Sequence, residues 1–358
     1  MSDQVRIQLL ICLCVSACAD RVQAPGAESS SGESGGHETT TTDDSTVTTG
    51  DAGCRESDQL TCNFEGAWDL SVGETAVYWV AGSNSPTCAA GAPCGTPRLE
   101  ALESGEDSPT IITELESTPS FVELVGPEES IIVGTDSGLV HVEPNGATEI
   151  IAAHRVGGLA AIGDALFWVD VTGSVIQQLD WLTGPEQAPT PIVQLEERNV
   201  LAFAAGPQAL VWADYPPMST ANGRIRAYDI FGSSSSTVAE DPGLVTTLAV
   251  VGDDVYWVDT LGSVLTSPLD GSGGPTKFEV EAAEGATSFV GADNRLFFGW
   301  LDLTSEEAGV SVLEVESGDA TQFLLSDYVV GDRAPTVWQV RDGLLYWSSD
   351  MLYATAID

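Results

Sequence analysis

The side chains able to act as general bases near neutral pH without a large pKa shift are three histidines, His37, His141 and His154. None stands in a pattern that implies catalysis. His37 falls in a low-complexity stretch, His141 in the apolar run Leu139-Val140-His141-Val142, and His154 beside Arg155 in a polar connection. The segment Gly134-Thr135-Asp136-Ser137-Gly138 sets a serine between small residues, as an exposed nucleophile needs, but a tight turn asks for the same residues. The turn reading is preferred because every unit of the repeat described below turns at this point. The H-E-x-x-H, G-x-S-x-G, phosphate-loop and dinucleotide patterns are missing, so no catalytic, cofactor-binding or metal-ligating residue is assigned. Asp170, Asp214 and Asp259 recur at equal places in three units, which leaves structural Ca2+ as the one cofactor open. Calcium wants six to eight oxygens and no D-x-D-x-D-G loop supplies them, so structural hydrogen bonding is the expected role.

Charge narrows the partners. Twelve basic residues stand against 54 acidic ones, a net charge of −42 that repels nucleic acid and anionic headgroups. No nucleic-acid partner is expected. The same self-repelling surface favours a monomer.

The N-terminus has its own chemistry. Arg6 precedes an apolar run over residues 7–15, far shorter than the about 20 residues that cross a bilayer but of the size of a signal-peptide core. That run ends in Val15-Ser16-Ala17-Cys18, which resembles the lipobox of bacterial lipoproteins. The resemblance implies that 1–17 is a signal peptide, that cleavage falls before Cys18, and that Cys18 is acylated. Several acyl chains anchor stably where one does so only marginally. An ordinary signal peptide ending there is the competing reading. Asp20, third in the mature chain, is not the usual inner-membrane retention signal, so the expected location is the cell envelope, as an outer-membrane lipoprotein. Residues 18–53 then form a tether of Ser, Thr, Gly and acidic residues, too poor in large apolar groups to offset its ordering entropy. Such a disordered linker spans roughly 30 Å.

Removing that leader also resolves the cysteine count. Of seven cysteines, Cys12 and Cys14 leave with the signal peptide and Cys18 is committed to lipid. Cys54, Cys62, Cys88 and Cys94 remain, an even set that reads as two disulfides in an exported chain. Short intervals favour Cys54 with Cys62 and Cys88 with Cys94; the other pairings stay open. A zinc site competes, without a C-x-x-C pair to support it.

What must position everything else is a repeat. From Trp68 onward a polar turn introduces a strand centred on an apolar pair: Tyr78-Trp79, Ile132-Val133, Phe167-Trp168, Val211-Trp212, Tyr256-Trp257, Phe297-Phe298 and Tyr346-Trp347. Four of the six intervals run between 35 and 45 residues, the length of a four-stranded propeller blade. Consecutive apolar residues suit strands buried on both faces. The expectation is therefore an all-β fold over 54–358, a seven-bladed β-propeller, with six or eight blades as alternative counts. The last unit supplies only three strands, so its fourth is expected from residues ahead of Trp68, within 60–66.

Phe167-Trp168-Val169-Asp170, Val211-Trp212-Ala213-Asp214 and Tyr256-Trp257-Val258-Asp259 resemble the YWTD repeats of β-propellers, with Val or Ala in place of Thr. In that family the aromatics pack between blades and the Asp makes structural hydrogen bonds. Its members commonly have six blades, so a count of seven departs from the pattern. Ala81, Thr135 and Ser349 stand at the Asp position in three other units.

Insertions give the functional expectation. The connections after the central strands are long in units one, four and six, at 82–95, 215–223 and 302–309. Insertions gathered on one face mark a binding face. Tyr215, Pro216, Pro217 and Met218, with Trp300 beside the sixth-unit insertion, are its candidate residues. The resulting reading is a lipid-anchored, non-catalytic binding or scaffold module for a protein, glycan or envelope component. The alternative is an exported metal-dependent hydrolase or lyase.

Overall fold

The computed structural model describes residues 59–61, 67–81, 96–106, 108–184, 187–196, 198–217, 219, 221–245, 247–259, 263–278, 288–302, 307–317, 320–324, 336–348 and 352–357. The lipobox with Cys18, the tether, Cys54, Cys62, Cys88, Cys94 and Met218 lie outside them.

The described chain forms seven antiparallel four-stranded sheets, each in simple meander order. Blades 1 to 6 cover 67–114, 119–152, 156–194, 199–240, 248–278 and 288–324. Blade 7 combines Thr336–Arg341, Leu344–Ser348 and Leu352–Ala356 with Gln59–Thr61 as its outermost strand. Each predicted apolar pair lies in the second strand of its blade. In Ala209–Tyr215 all seven residues are buried, as a strand covered on both faces requires.

Among the described residues the core is divided. Seven apolar clusters lie one between each pair of neighbouring blades, and the cluster that packs Leu70 and Trp79 of blade 1 with Leu352 of blade 7 closes the ring. Trp79, Trp168, Trp212, Trp257 and Trp347 each face the preceding blade and are almost fully buried. The innermost strands touch their neighbours all the way round, ending with Thr336–Arg341 against Ala67–Val72.

An innermost strand presents an unpaired backbone edge, which must find other partners. Polar side chains of the neighbouring blade supply them at three places. The Val122 N–H donates to Asp69 Oδ2 (2.9 Å), Val337 N–H to Ser288 Oγ (2.8 Å), and Val72 N–H to Gln339 Oε1 (2.7 Å). Asp69 and Ser288 hold equivalent positions, each just before the residue opposite the second member of the apolar pair.

Candidate functional site

A meander of four antiparallel strands puts its first and third turns at one end, and its second turn with the link to the next blade at the other. We term these the turn face and the link face. Backbone bonds tie the link face together: Asp136 N–H donates to Thr118 O (3.0 Å) and Val171 N–H to Arg155 O (3.0 Å).

The three repeated aspartates end the second strands of blades 3, 4 and 5 at this face, and each is bound within its own blade or the link before it. Asp170 is buried; its Oδ2 lies 2.8 Å from His154 Nδ1 and its Oδ1 accepts from Gly173 N–H (2.8 Å). Asp214 is wholly enclosed. Its Oδ1 accepts from Arg198 Nε and from Arg224 Nε (3.3 Å), and its Oδ2 from the Trp212 indole (3.1 Å). Asp259 Oδ1 accepts from Ser263 N–H (2.9 Å). Among the described residues no three His, Cys, Asp or Glu side chains are grouped as a metal ion needs. His154 and Arg198 each stand 16 residues before their aspartate. That spacing was present in the sequence and is the signal by which Arg198 could have been found.

Asp214 organises the blade 4 insertion. Arg198 also donates to Asp214 O (3.1 Å) and to Asn222 O (2.6 Å), while Arg224 reaches Glu196 Oε2 (3.2 Å). The hydrogen bond and charge of Arg224 hold the Glu196 carboxyl below the usual range. Both ends of the loop are thereby lashed to the preceding link.

Two residues expected on the exposed binding face prove to be internal. Tyr215 is only 1% exposed, and its hydroxyl donates to Gly243 O (2.8 Å) while accepting from Val245 N–H (2.6 Å). Gly223 lies flat on the ring, where a Cβ would overlap it. Tyr215 therefore props the insertion against the link to blade 5. Trp300 is 4% exposed and packs in the cluster between blades 5 and 6. Both fail as ligand contacts for one reason: they belong to second strands, which neighbouring blades cover. Pro216 is half-buried and Pro217 exposed at the loop tip.

The serine segment is a turn. Thr135 Oγ1 donates to Gly138 O (2.8 Å) and accepts from Gly138 N–H (3.0 Å), so Thr135 does for blade 2 what aspartate does for blades 3 and 5. Ser137 Oγ lies 2.7 Å from Ser117 Oγ, with no histidine beside it.

Two carboxylates in the innermost ring were not singled out from the sequence. Asp69 of blade 1 and Glu123 of blade 2 keep some exposed surface, yet protein encloses them. Burial pushes Asp69 up to about 7 against the lowering effect of the Val122 and Leu70 N–H groups. Burial, then the charge of Asp69, holds Glu123 well above the usual carboxylate range. A cavity of about 30 Å³ between blades 6 and 7, walled by Val310, Val312, Leu345 and Trp347, has room for about one water and none for a small-molecule ligand.

No family model and no curated protein matches the sequence. Solved structures do. A chain from the crystal structure of a Mitotic Checkpoint Complex is similar over 92% of this chain and 100% of its own, at 13% identity and a TM-score of 0.57. The computationally designed Ika8 protein is similar over 84% of this chain and 100% of its own, at 14% identity and a TM-score of 0.55. The fold is a seven-bladed β-propeller. At these identities the likeness speaks of fold alone.

Proposed function

We propose that this chain is an exported lipoprotein, anchored in the outer membrane through Cys18, whose propeller is a non-catalytic binding module acting through its link face. One observation carries the binding part: the 216–223 insertion stands on a base fixed by Arg198 and Tyr215, with Pro217 exposed above it. A tip held on a rigid base loses less entropy on binding than a free loop. The acylation part rests on the Val15-Ser16-Ala17-Cys18 segment.

Two measurements test it. An alkyne fatty acid should label the wild-type chain and not Cys18→Ala, which should leave the membrane fraction; equal labelling sinks the anchor. Substituting Pro217→Asp should abolish retention of the partner recovered from envelope extracts, with the melting temperature unchanged. Unchanged retention removes the link face from the reading.

A further inference from the structure

Lysine and arginine together number 12 in this chain, yet three arginines meet in the groove between blades 3 and 4. Arg224 and Arg226 stand two apart on Arg224–Asp229, the third strand of blade 4, and so share one face of the sheet. Arg198 joins them from the link before the blade. Arg198 and Arg224 share Asp214, and Arg226 lies 5.4 Å over the ring of Trp212, which packs against blade 3. Arg226 Nη2 donates to Ser235 Oγ (3.3 Å), while its Nε and Nη1 are enclosed and have no hydrogen-bond partner among the described residues. The group thus holds more donors than acceptors, a state that favours an added anion.

One exposed acceptor is supplied by the chain itself. Glu196 Oε2 takes a hydrogen bond from Arg224 Nη2 (3.2 Å), although its side chain is 61% exposed and its backbone, at φ 56°, lies in the left-handed region that residues with a Cβ rarely adopt. The hydrogen bond and charge of Arg224, then the charges of Arg226 and Arg198, hold the Glu196 carboxyl below its usual range. The potential at this one point is therefore positive, within a chain of net charge −42. Rotation of the Glu196 side chain into solvent leaves Arg224 open to a second carboxylate without any movement of the backbone.

Resting on the reading of the link face as a binding face, we propose that the Glu196 carboxylate holds the place of a ligand carboxylate, which displaces it and pairs with Arg224 beside the 216–223 insertion. The planar fork of arginine matches a carboxylate in shape as well as charge. The ligand carries few charges, because a polyanion would meet the repulsion of the whole acidic surface. A peptide C-terminus and an acidic sugar both supply such a group.

The test titrates the full lipidated chain in detergent micelles, its arginines isotopically labelled, with N-acetylglycine or glucuronate, and with N-acetylglycinamide and sodium chloride as controls. A carboxylate should move the Arg224 Nε–H resonance saturably, with several-fold tighter binding in Glu196→Ala, where the competing side chain is gone. The uncharged amide should not move it. A response to N-acetylglycine alone assigns a peptide end, and one to glucuronate alone an acidic sugar. A still Arg224 resonance, equal affinity in the two proteins, or the same movement with chloride overturns the proposal. Partner retention separates this inference from the reading beneath it: loss in Pro217→Asp without gain in Glu196→Ala keeps the link face and removes the carboxylate, and retention unchanged in both variants removes the face as well.

Discussion

Arg341 of blade 7 donates to Glu129 of blade 2 across the whole width of blade 1, at 2.7 Å and 212 residues apart in sequence. The same guanidinium donates to Val72 O, while Gln339 two residues earlier takes the Val72 N–H. Blade 7 thus satisfies both polar groups of one residue on blade 1's open inner edge. The apolar cluster between blades 7 and 1 lies at the same seam, so these bonds stand at the point where the ring must close.

Arg341→Met should therefore destabilise the domain by about 1–3 kcal/mol, because it strands the Val72 carbonyl and removes the cationic partner of Glu129, whose carboxylate keeps the Glu74 N–H. Lysine can make one of the two bonds, so Arg341→Lys should lose less. Urea denaturation measures both. A loss within error for Arg341→Met would show that the seam is held by the apolar cluster alone.

Asp214 and Asp170 occupy equivalent positions with unequal surroundings, which makes them a controlled comparison. Asp214→Asn leaves Arg198 and Arg224, at 15% and 22% exposure, facing a neutral group, and should cost about 3–5 kcal/mol. At Asp170 the partner His154 is 55% exposed and can return to water, so Asp170→Asn should cost about 1 kcal/mol. Thermal melts rank the two variants. Equal losses would mean that the backbone bonds, and not the cations, set the importance of these carboxylates.

These aspartates also show where sequence reasoning stops. The apolar pairs, the Gly and Asp turns and the missing fourth strand were legible because each is local: residue types at short spacing specify a strand, a hairpin or an unpaired edge. The closing strand was expected within 60–66 and lies at Gln59–Thr61. Tyr215 and Trp300 were misplaced because their burial is decided by residues 28 or more positions away, such as Gly243, or by a neighbouring blade. Asp69 and Glu123 carry no local signal in the sequence for the same reason. Only the ring brings the first two innermost strands together and encloses both.

That enclosure has a pH signature. Both groups have folded-state pKa values above their unfolded ones, Asp69 rising from 3.8 to about 7 and Glu123 standing well above the usual carboxylate range. The unfolded chain releases these protons near pH 4 while the folded chain keeps them, so their contribution is fully present below pH 4 and is lost as pH rises through about 7. Stability in urea should therefore fall between pH 5 and pH 8. Replacing both with Asp69→Asn and Glu123→Gln should flatten the profile and raise stability at pH 8. A profile in the double variant as steep as the wild type's would place the titration elsewhere.

Tyr215 offers the sharpest test of how the insertion is held. Tyr215→Phe keeps the ring under Gly223 but removes the hydroxyl that joins Gly243 O to Val245 N–H. Both backbone groups then lack a partner where Val245 is fully buried, a loss of about 1–3 kcal/mol. The change should be local as well as global: the Val245 amide should exchange with deuterium faster than amides of Ala209–Tyr215, and the 216–223 loop should become more sensitive to protease. A phenylalanine variant with wild-type exchange at Val245 would mean that Arg198 alone braces the loop. In that event Arg198→Met, and not Tyr215→Phe, is the substitution that frees the tip.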